Sequence, residues 1–91
     1  MMNNLEPMTK DELVANKKLV GAHIRNFRTL AGLTQTELAR LTGHKSAAYI
    51  AFIEDGKRNI TAVDLVQVAY YLKVKPTDLL QGFSITTTTK F

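Results

Sequence analysis

An all-α domain is what this sequence predicts, on three observations: a helix-start signal that occurs three times, apolar residues three and four apart after each occurrence, and glycines where the periodic runs stop. The signal is shared by "MTKDEL", "LTQTEL" and "ITAVDL". In each, a threonine (Thr9, Thr34, Thr61) stands three residues before an acid (Glu12, Glu37, Asp64), so that hydroxyl and carboxylate can each accept a hydrogen bond from the other residue's backbone N–H. Apolar residues flank each pair (Met8 and Leu13, Leu33 and Leu38, Ile60 and Leu65), as a hydrophobic staple requires.

The elements follow in order. Residues 1–18 read as an N-terminal extension, partly helical from Thr9. Gly21 inside the next periodic run weakens a helix by roughly 1 kcal/mol relative to alanine, which predicts a separate or frayed helix over 9–18. Val20, Ile24, Phe27 and Ala31 form a core stripe that Gly32 ends. Leu38 and Leu41 mark a short helix over 35–42, closed by Gly43. A further helix is expected over about 47–55, with Ile50 and Ile53 facing the core and Tyr49 at its edge. Leu65, Val66, Val68, Ala69 and Leu72 are apolar on more than one side and predict a central helix. "KPTDLL" restarts a last helix with Pro76 near its first position, where the missing N–H costs nothing, and Gly82 ends it. The domain is thus expected over 19–82. In the tail, 83–91, Phe83, Ile85, Thr87, Thr89 and Phe91 alternate with polar residues. That period of two suits a strand paired with the tail of a second copy as a dimerisation device, and a frayed end is the alternative.

The charge is distributed unevenly. The chain of 91 residues carries +4 overall, and Lys17 to Arg58 is its basic part, as a polyanion-binding surface requires. The chain has no cysteine, which excludes a disulfide framework and thiolate zinc sites, and His23 and His44 belong to no metal-ligand pattern. No metal and no cofactor is expected. No apolar run approaches the roughly 20 residues that cross a bilayer, and "MMNNLEPMTKDE" is acidic and polar where a secretory signal is basic and then apolar. The expected setting is the cytoplasm. No nucleophile elbow or phosphate-cradling glycine loop appears, so an enzyme is not expected.

Two short helices separated by a glycine-containing turn have the shape of a helix-turn-helix. The stretch from Ile24 to Leu80, through "GLTQTELA", "YIAFIEDGKRN" and "LVQVAYYLKVKPTDLL", closely resembles the phage-repressor-like helix-turn-helix family, of the Cro/CI or xenobiotic-response-element type. The resemblance implies a five-helix bundle of the lambda-repressor-like type that binds double-stranded DNA as a homodimer on a palindromic operator. Its second motif helix lies in the major groove, and the first braces it against the backbone. By that resemblance Thr34 and Gln35 at the start of the first motif helix hold a phosphate, and Ser46 caps the recognition helix. Ala47, Ala48 and Phe52 face the bases, while Lys57, Arg58 and Asn59 grip the adjacent backbone; Lys45, Ser46 and His44 are the remaining polar candidates near the helix start. Arg28 and Glu54, each at the margin of its helix's apolar stripe, are implied to form a structural ion pair.

The sequence departs from that family in two respects. The outer side of the recognition helix, with Ala47, Ala48, Ala51 and Phe52, is apolar apart from Asp55, where the family commonly places polar side chains. The spacing from Gly43 to Ile50 is one residue longer than usual, which could re-aim the helix. Alanine and phenylalanine can rest on a thymine methyl but make no bidentate hydrogen bonds, so readout of thymine methyls and DNA shape is expected. The leading expectation is a sequence-specific transcriptional regulator, a repressor. The alternative is an antitoxin or other protein-interaction module whose partner, such as a toxin, docks on the same apolar outer side.

Overall fold

The computed structural model describes residues 6–82. Four α-helices, α1 (Lys10–Leu30), α2 (Gln35–Leu41), α3 (Ala48–Glu54) and α4 (Ala62–Leu72), are followed by a 3₁₀ segment, Pro76–Leu80. Instead of five α-helices there are therefore four and a tighter turn. The last piece has only five residues between extended Lys75 and extended Gln81, too few to favour the α form over the 3₁₀ form used in short connectors. Among the described residues there is no strand. The tail over 83–91, where a dimerisation strand was expected, lies outside the described residues.

α1, α2 and α4 each begin where a threonine predicts. Thr9 and Thr34 form reciprocal capping boxes: Thr9 Oγ1 accepts from the Glu12 N–H at 3.1 Å and Glu12 Oε1 from the Thr9 N–H at 2.8 Å, with 3.0 and 2.8 Å at Thr34 and Glu37. Thr61 caps α4 in one direction, accepting from the Asp64 N–H at 3.1 Å. The Asp64 carboxylate does not return the bond, because His44 Nε2 lies 3.1 Å from its Oδ2. The Thr61 N–H donates instead to the Tyr49 hydroxyl at 3.2 Å.

All four helices stop by one device. An N–H just past the end returns to the carbonyl five residues earlier, in the pairs Leu33 to Arg28, His44 to Ala39, Lys57 to Phe52 and Val74 to Ala69. The residue before each donor adopts positive φ, and it is glycine at Gly32, Gly43 and Gly56 but Lys73 after α4.

The break expected at Gly21 does not occur, and α1 runs through it for 21 residues. Gly21 is buried because α1 crosses the end of α3 there, and a Cβ would run into the Ile53 and Glu54 carbonyl oxygens. The glycine trades helix propensity for close approach of two backbones.

The core consists of Val20 and Ile24 from α1, Leu38 and Ala39 from α2, Tyr49, Ile50 and Ile53 from α3, Val68, Ala69 and Leu72 from α4, and Leu79. Phe27 and Leu65 pack against it from a partly buried position. Two residues expected in the core are outside it: Ala31 is the exposed C-cap of α1, and Val66 is 55% exposed on α4. Among the described residues, no helix is long and apolar enough to cross a membrane.

Candidate nucleic-acid interface

The site is built around α3, which has seven residues. Its inward positions Tyr49, Ile50, Ile53 and Glu54 are all buried, and they hold the helix on α1 and α2. The positions between them look outward: Ala48 and Asp55 are exposed, Ala51 is intermediate, and Phe52 is 47% exposed. Lys45 and Ser46, just before the helix, and Lys57, Arg58 and Asn59, just after it, are exposed. A bare apolar helix side thus has cations at both ends.

Beneath α3 lies an ion-pair cluster centred on Glu54, whose side chain is 0% exposed. Arg28 Nε donates to Glu54 Oε2 at 2.6 Å, and Arg28 Nη2 to Oε1 at 3.0 Å. The same guanidinium donates through Nη1 to the Leu33 carbonyl at 2.8 Å, tying the α1–α2 turn into the cluster. Arg25 adds a 3.3 Å contact to Glu54 Oε1 and a 2.8 Å bond to Asp55 Oδ1. Burial pushes the Glu54 carboxyl up, but hydrogen bonds from Arg28, Gln35 and Arg25 with the Arg28 charge outweigh it and hold the group below the ordinary carboxylate range.

One expected role changes and another gains a partner. Gln35 Nε2 donates one of its two hydrogens to Glu54 Oε1 at 2.9 Å, so the side chain braces α2 against α3. Ser46 is not the N-cap. Ala47 occupies that position with no side-chain cap bond, and Ser46 Oγ accepts from the Ala48 N–H at 3.3 Å. The helix begins one residue later than its serine suggests because the longer turn is pinned elsewhere. His44 stacks on the Tyr49 ring, with centroids 4.1 Å apart and planes at 25°, and its Nε2 reaches Asp64. On the same ring, the Arg58 guanidinium lies 4.9 Å from the centroid.

Sequence reasoning missed Arg25 and the His44–Asp64 link. Arg25 had a signal, since it lies three residues before Arg28 and shares its helix side. The His44–Asp64 link had none, because the partners are 20 residues apart.

The acids of this network predict an acid-sensitive fold. Burial raises the Asp64 carboxyl, and hydrogen bonds from Tyr49, His44 and Thr61 bring it below its ordinary value. For Asp64 and Glu54 the folded group is the stronger acid, so their contribution to stability is complete above the unfolded values of about 3.9 and 4.3. It is lost as pH falls through the lower folded values. The melting temperature is expected to hold from neutral pH to about 5 and to fall below about 4. A flat melting temperature across the acid range would contradict the network.

The comparisons agree with this geometry. Residues 24–79 match the helix-turn-helix family. A Sinorhizobium fredii protein described as an uncharacterized HTH-type transcriptional regulator is 36% identical over 70% of this chain and 82% of its own length. Among solved structures, the restriction-modification controller protein C.AhdI from Aeromonas hydrophila superposes with a TM-score of 0.67 at 34% identity, over 71% of this chain and 97% of that one. The P22 c2 repressor, solved with a synthetic operator, gives 0.65 at 26% identity over 70% and 96%. A recognition-type helix clamped by a buried ion-pair cluster, inside a matched span that runs from the last third of α1 through α4, leads to one conclusion: the chain belongs to the Cro/CI-like helix-turn-helix family of DNA-binding transcriptional regulators.

Proposed function

We propose that this protein represses transcription by seating α3 in the major groove of a palindromic operator, two copies binding half-sites about one duplex turn, or 34 Å, apart. The observation that carries the reading is the division of α3. Every residue on one side is buried and held by Glu54, Ile50 and Ile53, and the other side is bare between Lys45 and the Lys57–Asn59 loop. A rigid, shape-defined helix with cations at both ends meets the two needs of groove binding, which are phosphate anchors that set position and a surface that touches base edges. Ala48 and Phe52 contribute apolar contact, suited to thymine methyls. The first turn of α2 approaches the backbone through the main-chain N–H of Gln35, which has no intrahelical backbone acceptor, beside Thr34, whose own N–H is held by Glu37. Repression follows from occupancy of a promoter.

Salt dependence tests this reading. Binding to an operator selected from random duplexes should weaken steeply with ionic strength, by a log–log slope of about 0.9 for each phosphate neutralised. Lys57→Ala should weaken binding to all sequences alike and lower that slope by about 1. Affinity that stays flat between low and moderate salt would refute phosphate anchoring and favour a protein partner on the exposed Phe52 side.

A further inference from the structure

We propose that Tyr49 is a positioning residue for operator binding, its ring holding the Arg58 guanidinium in place before a phosphate arrives; the inference rests on the DNA reading above. Tyr49 lies in the first turn of α3 and is buried. Its hydroxyl accepts from the Thr61 N–H at 3.2 Å and donates to the Asp64 carboxylate, so the ring is fixed to the start of α4. His44 stacks on one face, with centroids 4.1 Å apart and planes at 25°. The Arg58 guanidinium carbon lies 4.9 Å from the same centroid. An imidazole stacked so closely fills its face of the ring, which leaves the guanidinium the other.

This contact differs in kind from those of Arg25 and Arg28, which are bound through their N–H groups to Glu54 and Asp55 and so spend both charge and donors inside the protein. Arg58 is in none of the ion pairs among the described residues. A cation over a ring is held by its flat face, whereas the N–H donors of a guanidinium lie in its plane. Tyr49 therefore restrains Arg58 and leaves its donors available to a phosphate, which takes them bidentately. The backbone beside it is restrained too, because the Lys57 N–H returns to the Phe52 carbonyl at 2.9 Å. A long side chain on an exposed loop ordinarily loses its freedom only on binding, and ordering it beforehand is worth about twofold to tenfold in affinity. The ring also links the two cationic ends of α3. His44 belongs to the turn that carries Lys45, and Arg58 to the loop that carries Lys57 and Asn59, so one stack sets both flanks relative to each other.

The test is a double-mutant cycle on the full chain, read as affinity for the selected operator per folded molecule. Tyr49→Leu should weaken binding about twofold to tenfold for each bound copy, and should cost under about twofold where Arg58 is already alanine. A role confined to stability would give equal losses in both backgrounds. Tyr49→Phe loses the hydroxyl bonds and keeps the ring, so it should melt at a lower temperature yet bind within about twofold of wild type. The wild type without DNA supplies a check that no unfolded variant can cloud. By NMR its Arg58 Nε–H proton, lying over an aromatic face, should resonate upfield of that of exposed Arg40. An Arg58 proton at the Arg40 position, equal losses in both backgrounds, or a Tyr49→Phe variant that binds as weakly as Tyr49→Leu would each overturn the inference and leave the DNA reading standing. Wild-type binding that ignores salt would sink the DNA reading and this inference with it, so the two failures are distinguishable.

Discussion

Glu54→Gln is expected to lower the melting temperature by at least about 12 °C. The substitution removes the charge that Arg28 faces inside the fold, and breaking a buried pair from one side costs about 3–5 kcal/mol. In a domain of this size each kcal/mol moves the midpoint by about 4–8 °C. The cost is large because Glu54 is fully enclosed and Arg28 nearly so, at 0% and 14% side-chain exposure, and because Arg25 and Gln35 converge on the same carboxylate. Arg25→Ala is the matching control. Arg25 is 52% exposed, and its loss should cost under about 1 kcal/mol. Thermal unfolding followed by circular dichroism measures both, and an unchanged midpoint for Glu54→Gln would mean that the cluster does not hold α3 in place.

The second large effect is expected at Gly21, where the usual sign reverses. A glycine-to-alanine change inside a helix ordinarily gains about 1 kcal/mol. Here the new methyl meets the Ile53 and Glu54 carbonyls, backbone atoms that can move only if α1 lifts off α3. Overpacking of this kind costs about 1–3 kcal/mol, and the displacement also strains the Arg28–Glu54 bonds that span the same two helices. Gly21→Ala should therefore lower the urea midpoint, and a stabilised variant would show that the α1–α3 contact is looser than described.

Both predictions concern how α3 is held. Glu54 joins α1, α2 and the turn at Leu33 to the last residue of α3, while Asp64 joins α4 to the turn before α3 through His44. The recognition-type helix is thus anchored from both ends by acids, and its outer side is left unobstructed.

How much of this was legible in the chain depends on the distance over which each feature is decided. The start of α1, α2 and α4 could be read because a threonine cap and its backbone donor lie within three residues of each other, and the stops at Gly32 and Gly43 because a left-handed residue is a local requirement. The inward stripe of α3 and the partners Arg28 and Glu54 followed from helical periodicity and family resemblance.

What tertiary structure alone decided is which of several equally local options each side chain takes. Asp64 could cap its own helix or bond a histidine in the turn between α2 and α3, and it does the latter. Gln35 carries an amide that many acceptors could take, and packing brings the buried Glu54 carboxylate within 2.9 Å of it. Gly21 looked like a weak point in a helix and is a contact between two backbones, while Val66 matched the core pattern and lies outside it. Helix ends and periodicity are set by neighbours within one turn, so the sequence determines them by itself. Partners 19 to 33 residues apart meet only when the helices pack, because no short-range preference distinguishes the contact that forms from those that do not.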